Sequence, residues 1–172
     1  MTKGAYKARH PRNIPATYYK PIGQVLSRWI YTELYMMSIV WHFLGITNPK
    51  IGRLLTWGNN PVNKVKLFGS LLGRNEWVPD ANDKTEIKQI CTVADGLRAK
   101  RNRLAHGLWS QRQSEGKKFR LFYMPENENR ILPGQKNSPI VTLKELRQWA
   151  KEMDTLNARL KRFHTKIGAP IP

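Results

Sequence analysis

The strongest constraint on the fold is a long run of apolar residues at helical spacing. Between Ile22 and about Leu44 an apolar side chain returns every three or four positions, which matches the 3.6-residue period of an α-helix. The most apolar part, residues 29–44, contains Glu33 and His42 and is shorter than the ~20 residues needed to span a bilayer. The run therefore predicts a long helix inside a protein core, and no membrane contact is expected.

Three further helices are predicted before residue 108. Two short ones should lie on either side of residues 58–61, whose Gly-Asn-Asn-Pro sequence favours a break. A fourth, longer helix should begin at a cap provided by Asn82 or Asp83 and stop at Gly107. Its apolar residues again fall on one face, so it should also pack against the core.

The rest of the chain predicts one hairpin and one more helix. Residues 108–111 and 119–124 flank a turn-like segment and favour two short strands. Thr142 and Glu145 have the spacing of a capping box, which opens a last helix that should end near Gly168. The predicted fold class is therefore all-α, a bundle of about five helices with a small β-hairpin after the fourth.

Composition divides the chain into a basic arm and one domain. Residues 1–20 carry five basic residues and no acidic one, which is typical of a flexible arm, and residues 21–168 have the length of a single domain. The formal charge of +18 attracts polyanions, chiefly nucleic acid or an anionic surface. A solubility function or a ribosome-type scaffold would suit the same charge, so charge alone does not indicate an enzyme.

The cysteine and targeting signals favour the cytoplasm. Cys91 is the one cysteine, so the chain cannot form an internal disulfide or a cysteine metal cluster. Its basic N-terminus has no apolar run after the charges and contains prolines, which opposes a targeting helix. No cofactor and no metal site is expected, because the sequence has neither a phosphate-binding glycine motif nor a histidine pair at metal-ligand spacing.

Two charged residues fall in the middle of apolar helix faces. Glu33 lies on the apolar face of the first helix, and Arg101 lies on that of the fourth. A buried charge costs several kcal/mol unless it is paired, so we expect Glu33 to contact Arg101 and to leave the guanidinium partly available to an anion. The alternative is a buried ion pair that only sets the register of two helices.

Asn102 and His106 extend this cluster. Their i, i+4 spacing places them on one side of the helix beside Arg101, with His106 in the last turn. Imidazole ionises near neutral pH, as a general acid or base should. Alternatively, His106 only interacts with the helix dipole and the last carbonyl groups.

The segment from Leu97 to Trp109, LRAKRNRLAHGLW, resembles the signature of the HEPN superfamily. That signature is an arginine, an adjacent polar residue, and a histidine after a gap of four to six residues; here the gap is four and the polar residue is Asn102. The order of predicted helices is similar as well, so the resemblance covers roughly residues 22–166.

The resemblance implies an up-and-down helical bundle, a homodimer that joins two motifs across a cleft, and a metal-independent endoribonuclease activity. It implies that Arg101 holds the scissile phosphate, that His106 moves a proton, and that Asn102 orients either group. Glu33 would support the site. The resemblance also implies control by a partner, an acidic or nucleotidyltransferase-type antitoxin, and a toxin or defence function.

Substrate contacts are expected from basic and aromatic residues around the motif, which would bind phosphates or stack on unpaired bases. They are Arg98, Lys100, Arg103, Trp109, Arg112, Lys117, Lys118 and Arg120. Trp109 could equally belong to the core. A non-catalytic nucleic-acid-binding module, or an interaction subunit controlled by a partner protein, would fit the same composition. Nucleic-acid binding alone would not need the Arg101, Asn102 and His106 set.

Overall fold

Helices dominate the part of the chain that the structure describes. The structure is a computed structural model and describes residues 16–56, 58–73, 78, 80–106, 108–111, 119–122 and 141–169. The α-helices in these ranges are α1 Ala16–Phe43, α2 Pro49–Thr56, α3 Pro61–Ser70, α4 Ala81–His106 and α5 Leu143–Lys166, and a 3₁₀ turn, Leu71–Gly73, follows α3. The prediction of a helical bundle is confirmed.

Helix α1 starts earlier than its apolar period suggests. It begins at Ala16 rather than Ile22, so residues 16–20 of the predicted arm are helical, and residues 1–15 lie outside the described residues. Pro21 lies inside the helix and is buried. A proline there removes one backbone hydrogen bond, and burial of its ring offsets part of that loss.

Helices α1 and α5 run side by side in the same direction. Nε of Arg28 lies 2.6 Å from Oδ1 of Asp154, and further along both helices the Ser38 hydroxyl lies 2.9 Å from Nε2 of His164. Because residue numbers rise together in these contacts, the helices are parallel. His164 is buried, and the ring of Tyr35 meets it edge-on with 5.5 Å between ring centres.

Helix α4 runs in the opposite direction to α5. Nζ of Lys100 lies 2.6 Å from a carboxylate oxygen of Glu152, whereas near the other end Lys166 pairs with Asp83 at 2.5 Å. In these contacts the residue numbers of α4 fall as those of α5 rise, so the two helices are antiparallel. The last turns of α4 therefore lie beside the beginning of α5.

The apolar faces predicted for the long helices form the core. Trp29, Met36 and Val40 of α1 are buried. The buried residues of α4 are Ile87, Ile90, Ala94, Leu97 and Leu104, and those of α5 include Leu146, Met153, Leu156, Leu160 and Phe163. Several residues of these apolar patterns lie outside the core: Ile30 and Leu44 are 57% and 42% exposed, Ala105 is exposed, and Cys91 is only half-buried.

The helix ends show where local sequence signals succeed. Thr142 and Glu145 form the predicted capping box at the start of α5, and Gly168 adopts a positive φ of 66° just after its end. The cap of α4 differs from the prediction. Oδ1 of Asp80 accepts the backbone N–H of Asp83 at 2.9 Å, so the cap comes two residues before Asn82.

Two short strands follow α4. They are β1 Leu108–Gln111 and β2 Phe119–Phe122, which pair antiparallel with Leu108 opposite Phe122. Residues 112–118, which would form the turn of the predicted hairpin, lie outside the described residues. None of the helices in the described ranges is long and apolar enough to cross a membrane.

Candidate functional site

The last turns of α4 hold Arg101 in a half-buried position beside Asn102. Nη1 of Arg101 donates a hydrogen bond to Oδ1 of Asn102 at 3.1 Å. Nε of Arg101 is buried and has no hydrogen-bond partner among the described residues. A buried N–H group without a partner costs roughly 1–3 kcal/mol, so the described residues leave the hydrogen-bonding capacity of this guanidinium partly unused.

His106 is the last residue of α4 and is exposed. Asn102 lies one turn before it, a spacing that leaves the two Cβ atoms ~5–6 Å apart. Arg103 and His106 are the basic residues of the last turn, where the helix dipole favours positive charge. The site thus combines a half-buried guanidinium, an amide and an exposed imidazole within six residues of one helix.

The predicted contact between Glu33 and Arg101 is wrong. Oε2 of Glu33 lies 2.6 Å from Nζ of Lys64 on α3, and Oε1 accepts a hydrogen bond from the indole N–H of Trp29 at 2.5 Å. Both of its oxygens are therefore occupied. Glu33 thus has the cationic partner that its position requires, but that partner is Lys64 of α3 and not Arg101.

Axial position explains why the two charges do not meet. The ion pairs that join α5 to α1 and to α4 place Arg101 near the level of Val25 on α1. Glu33 lies eight residues further along the same helix, a distance of about 12 Å at 1.5 Å per residue. Periodicity predicted the correct face of each helix, but it carries no information about this offset.

Some of the predicted substrate contacts already have protein partners. Arg98 pairs with Asp95 on the same helix, with Nη2 2.7 Å from Oδ1. Lys100 pairs with Glu152 and lies 5.7 Å from the centre of the Trp149 ring. Pairs of this kind at a surface contribute little to stability, so a phosphate could replace either carboxylate.

The other predicted contacts are only partly described. Arg103 is exposed. Trp109 and Arg120 lie in β1 and β2, and their side chains are outside the described part of the structure. Arg112, Lys117 and Lys118 are also outside the described residues. The structure therefore brings together Arg101, Asn102 and His106 with Arg98, Lys100 and Arg103 on one helix.

Two further contacts were not predicted from the sequence. Lys64 neutralises Glu33, and Glu152 neutralises Lys100. Each pair joins residues on different helices, and no local sequence pattern connects such partners. Within the described ranges, no group of three His, Cys, Asp or Glu side chains is placed to hold a metal ion.

Two ionisable groups away from the motif have shifted pKa values. Hydrogen bonds from Arg159 at 2.6 and 2.7 Å lower the pKa of Glu86. Burial raises the pKa of the Cys91 thiol to about 11, and the nearby charge of Asp95 adds to the effect. Glu86 and Arg159 join α4 to α5, whereas the Cys91 thiol has little nucleophilic character near neutral pH.

Comparison with protein-family models, with curated proteins and with solved structures found no match in any of the three.

Proposed function

We propose that this chain is a metal-independent endoribonuclease of the HEPN type, with Arg101, Asn102 and His106 as its catalytic residues. The proposal follows from the resemblance of the segment around these residues. The observation that carries it is the state of Arg101: a half-buried guanidinium with no carboxylate partner in the described part of the chain. Because Glu33 is held by Lys64, the charge of Arg101 is available to a phosphate.

The chemistry follows from what each group can do. An RNA 2′-hydroxyl attacks the adjacent phosphorus while His106 takes its proton, and the new oxygen–phosphorus bond forms as the bond to the 5′-oxygen breaks. Arg101 stabilises the negative charge that develops on the phosphate oxygens. Asn102 holds the guanidinium in place. The 5′-oxygen leaves with a proton from a second acid, and the products are a 2′,3′-cyclic phosphate and a 5′-hydroxyl.

A homodimer supplies that second acid in the simplest way. One His106 acts as the base and takes the proton of the 2′-hydroxyl, and the His106 of the second copy acts as the acid and gives a proton to the 5′-oxygen, so each histidine makes a single proton transfer in one cleavage event. The exposed position of His106 at the end of α4 suits such a shared cleft, to which the β1–β2 hairpin would contribute. An acidic or nucleotidyltransferase-type protein that covers this cleft would inhibit the enzyme, and we place this activity in the cytoplasm.

The test separates cleavage from binding. Purified protein is incubated with a labelled single-stranded RNA in EDTA, together with Arg101→Ala, His106→Ala and, as a control that removes a positive charge outside the predicted site, Arg147→Gln at an exposed position of α5. We expect wild type and Arg147→Gln to cut, and we expect both alanine variants to lose roughly 10²-fold or more in rate while still binding RNA, because most of the +18 charge remains.

Equal binding by all four proteins with no cleavage would overturn the catalytic assignment. The chain would then be a nucleic-acid-binding module, and its affinity would fall with salt as phosphate contacts do. Cleavage at the wild-type rate by His106→Ala would also contradict the proposal, since the assigned base would then be unnecessary.

A further inference from the structure

Helix α2 presents its apolar face to the solvent. Ile51, Leu54 and Leu55 have i, i+3, i+4 spacing and share one side of the helix, and they are 51%, 78% and 63% exposed. Aliphatic residues that are scattered singly on a surface need no explanation, but three on one face of an eight-residue helix form a patch that calls for one.

The orientation of α2 is set by its opposite face. Gly52 and Thr56 are the buried residues of α2, and Gly52 lies directly against the ring of Trp41, which is 2% exposed. The Thr56 hydroxyl donates to the Gly52 carbonyl at 2.9 Å. Because the close contact needs a glycine, α2 attaches through its small residues, and its leucines must point away from the core.

The surroundings of this patch are cationic. Lys50 and Arg53 of α2 are both exposed. Between Glu33 and Glu76 the sequence contains Lys and Arg but no acidic residue. A partner that suits this patch therefore carries both negative charge and apolar groups.

Charge and shape decide among the possible occupants. A second copy docked on this patch would bring Lys50 and Arg53 of both chains together around one small apolar contact, and these like charges would repel. Nucleic acid would suit the cations, but aliphatic side chains offer no ring on which a base could stack. A folded protein partner needs about 800 Å² of matched surface on each side, and three side chains on an eight-residue helix do not provide it. An anionic lipid surface requires no matched shape.

We propose that α2 is a peripheral attachment site for anionic lipid surfaces. Ile51, Leu54 and Leu55 enter the boundary between headgroups and acyl chains, and Lys50 and Arg53 contact the lipid phosphates. The contact is interfacial and needs no membrane-spanning segment, so it departs from the expectation of no membrane contact. It does not depend on the proposed ribonuclease activity.

Vesicle sedimentation of the full chain tests this site. The probes are vesicles of phosphatidylcholine alone and with about 30% phosphatidylglycerol. We expect binding to the anionic vesicles, a drop of roughly tenfold or more for Leu54→Gln/Leu55→Gln, and no change for Ile30→Gln, which removes a comparably exposed aliphatic residue from α1. These positions are exposed, and circular dichroism checks that each variant is folded.

A second pair of variants separates local from overall charge. Lys50→Gln/Arg53→Gln should weaken binding several-fold more than Lys144→Gln/Lys151→Gln, which removes the same charge from exposed positions on α5. Equal effects of the two pairs, with wild-type binding by the leucine variant, would show attraction by net charge alone and would overturn the proposal. Absence of vesicle binding would overturn the proposal, and dimers that only the leucine variant disrupts would overturn it in favour of a second copy.

Discussion

Replacing glycine with alanine should have opposite effects on the free energy of unfolding at Gly52 and at Gly96. Both lie inside helices, and alanine is favoured over glycine there by about 1 kcal/mol. A Cβ at Gly52 would lie 2.4, 2.6 and 2.9 Å from three ring carbons of Trp41, whereas a Cβ at Gly96 would meet nothing within 4 Å. The indole is rigid and almost fully buried, so it cannot yield as a flexible side chain would.

The free energies of unfolding follow from these contacts. Overpacking of this kind costs about 1–3 kcal/mol, and three contacts below 3.0 Å place Gly52→Ala at the upper end of that range. After subtraction of the propensity gain we expect Gly52→Ala to be less stable by about 2 kcal/mol. Gly96→Ala should be more stable by about 0.5–1 kcal/mol.

Urea unfolding followed by circular dichroism measures both changes, with Gly96→Ala as the control for helix propensity. A Gly52→Ala variant as stable as wild type, alongside a stabilised Gly96→Ala, would refute the close packing of α2 on Trp41. It would also remove the reason for the outward orientation of the α2 leucines.

Three further predictions concern ionisation and capping. Arg159 lowers the pKa of Glu86, so this ion pair stabilises the fold above the ordinary pKa of 4.5 and loses that effect as pH falls through the pKa in the folded state. Glu86→Gln should therefore lower the free energy of unfolding by about 1 kcal/mol at neutral pH and leave it unchanged in acid. A loss of stability that persists in acid would contradict this. With its pKa raised to about 11, Cys91 of the folded protein should react with iodoacetamide at pH 8 roughly 100-fold more slowly than in urea, and equal rates would show that the thiol is not shielded. Thr142→Ala should destabilise the protein by about 1 kcal/mol in thermal unfolding, and an unchanged midpoint would mean that the cap at α5 contributes nothing.

The sequence was sufficient to predict the elements that depend on local signals. The capping box at Thr142, the turn near Gly168 and the buried faces of α4 and α5 all follow from spacing and from the chemistry of single residues. The apolar period of α1 begins at Ile22 and therefore predicts too late a start for this helix. The helix continues back through the buried Pro21 to Ala16.

Relations between helices could not be read from the sequence. Helical periodicity assigns a residue to a face, but the level at which two helices meet depends on packing along their whole length. For this reason Glu33 and Arg101 were each assigned to a buried face correctly, yet Glu33 pairs with Lys64. The same limit applies to α2, where the contact of Gly52 with Trp41 reverses the face that an apolar pattern would bury.

The end groups of the cleaved RNA test the proposed chemistry most directly. Fragments produced by wild-type protein in EDTA should carry 2′,3′-cyclic phosphate and 5′-hydroxyl ends, and His106→Ala should produce roughly 10²-fold fewer of them. Fragments with 3′-hydroxyl and 5′-phosphate ends, or no fragments at all, would contradict an attack by the 2′-hydroxyl at the Arg101 and His106 site.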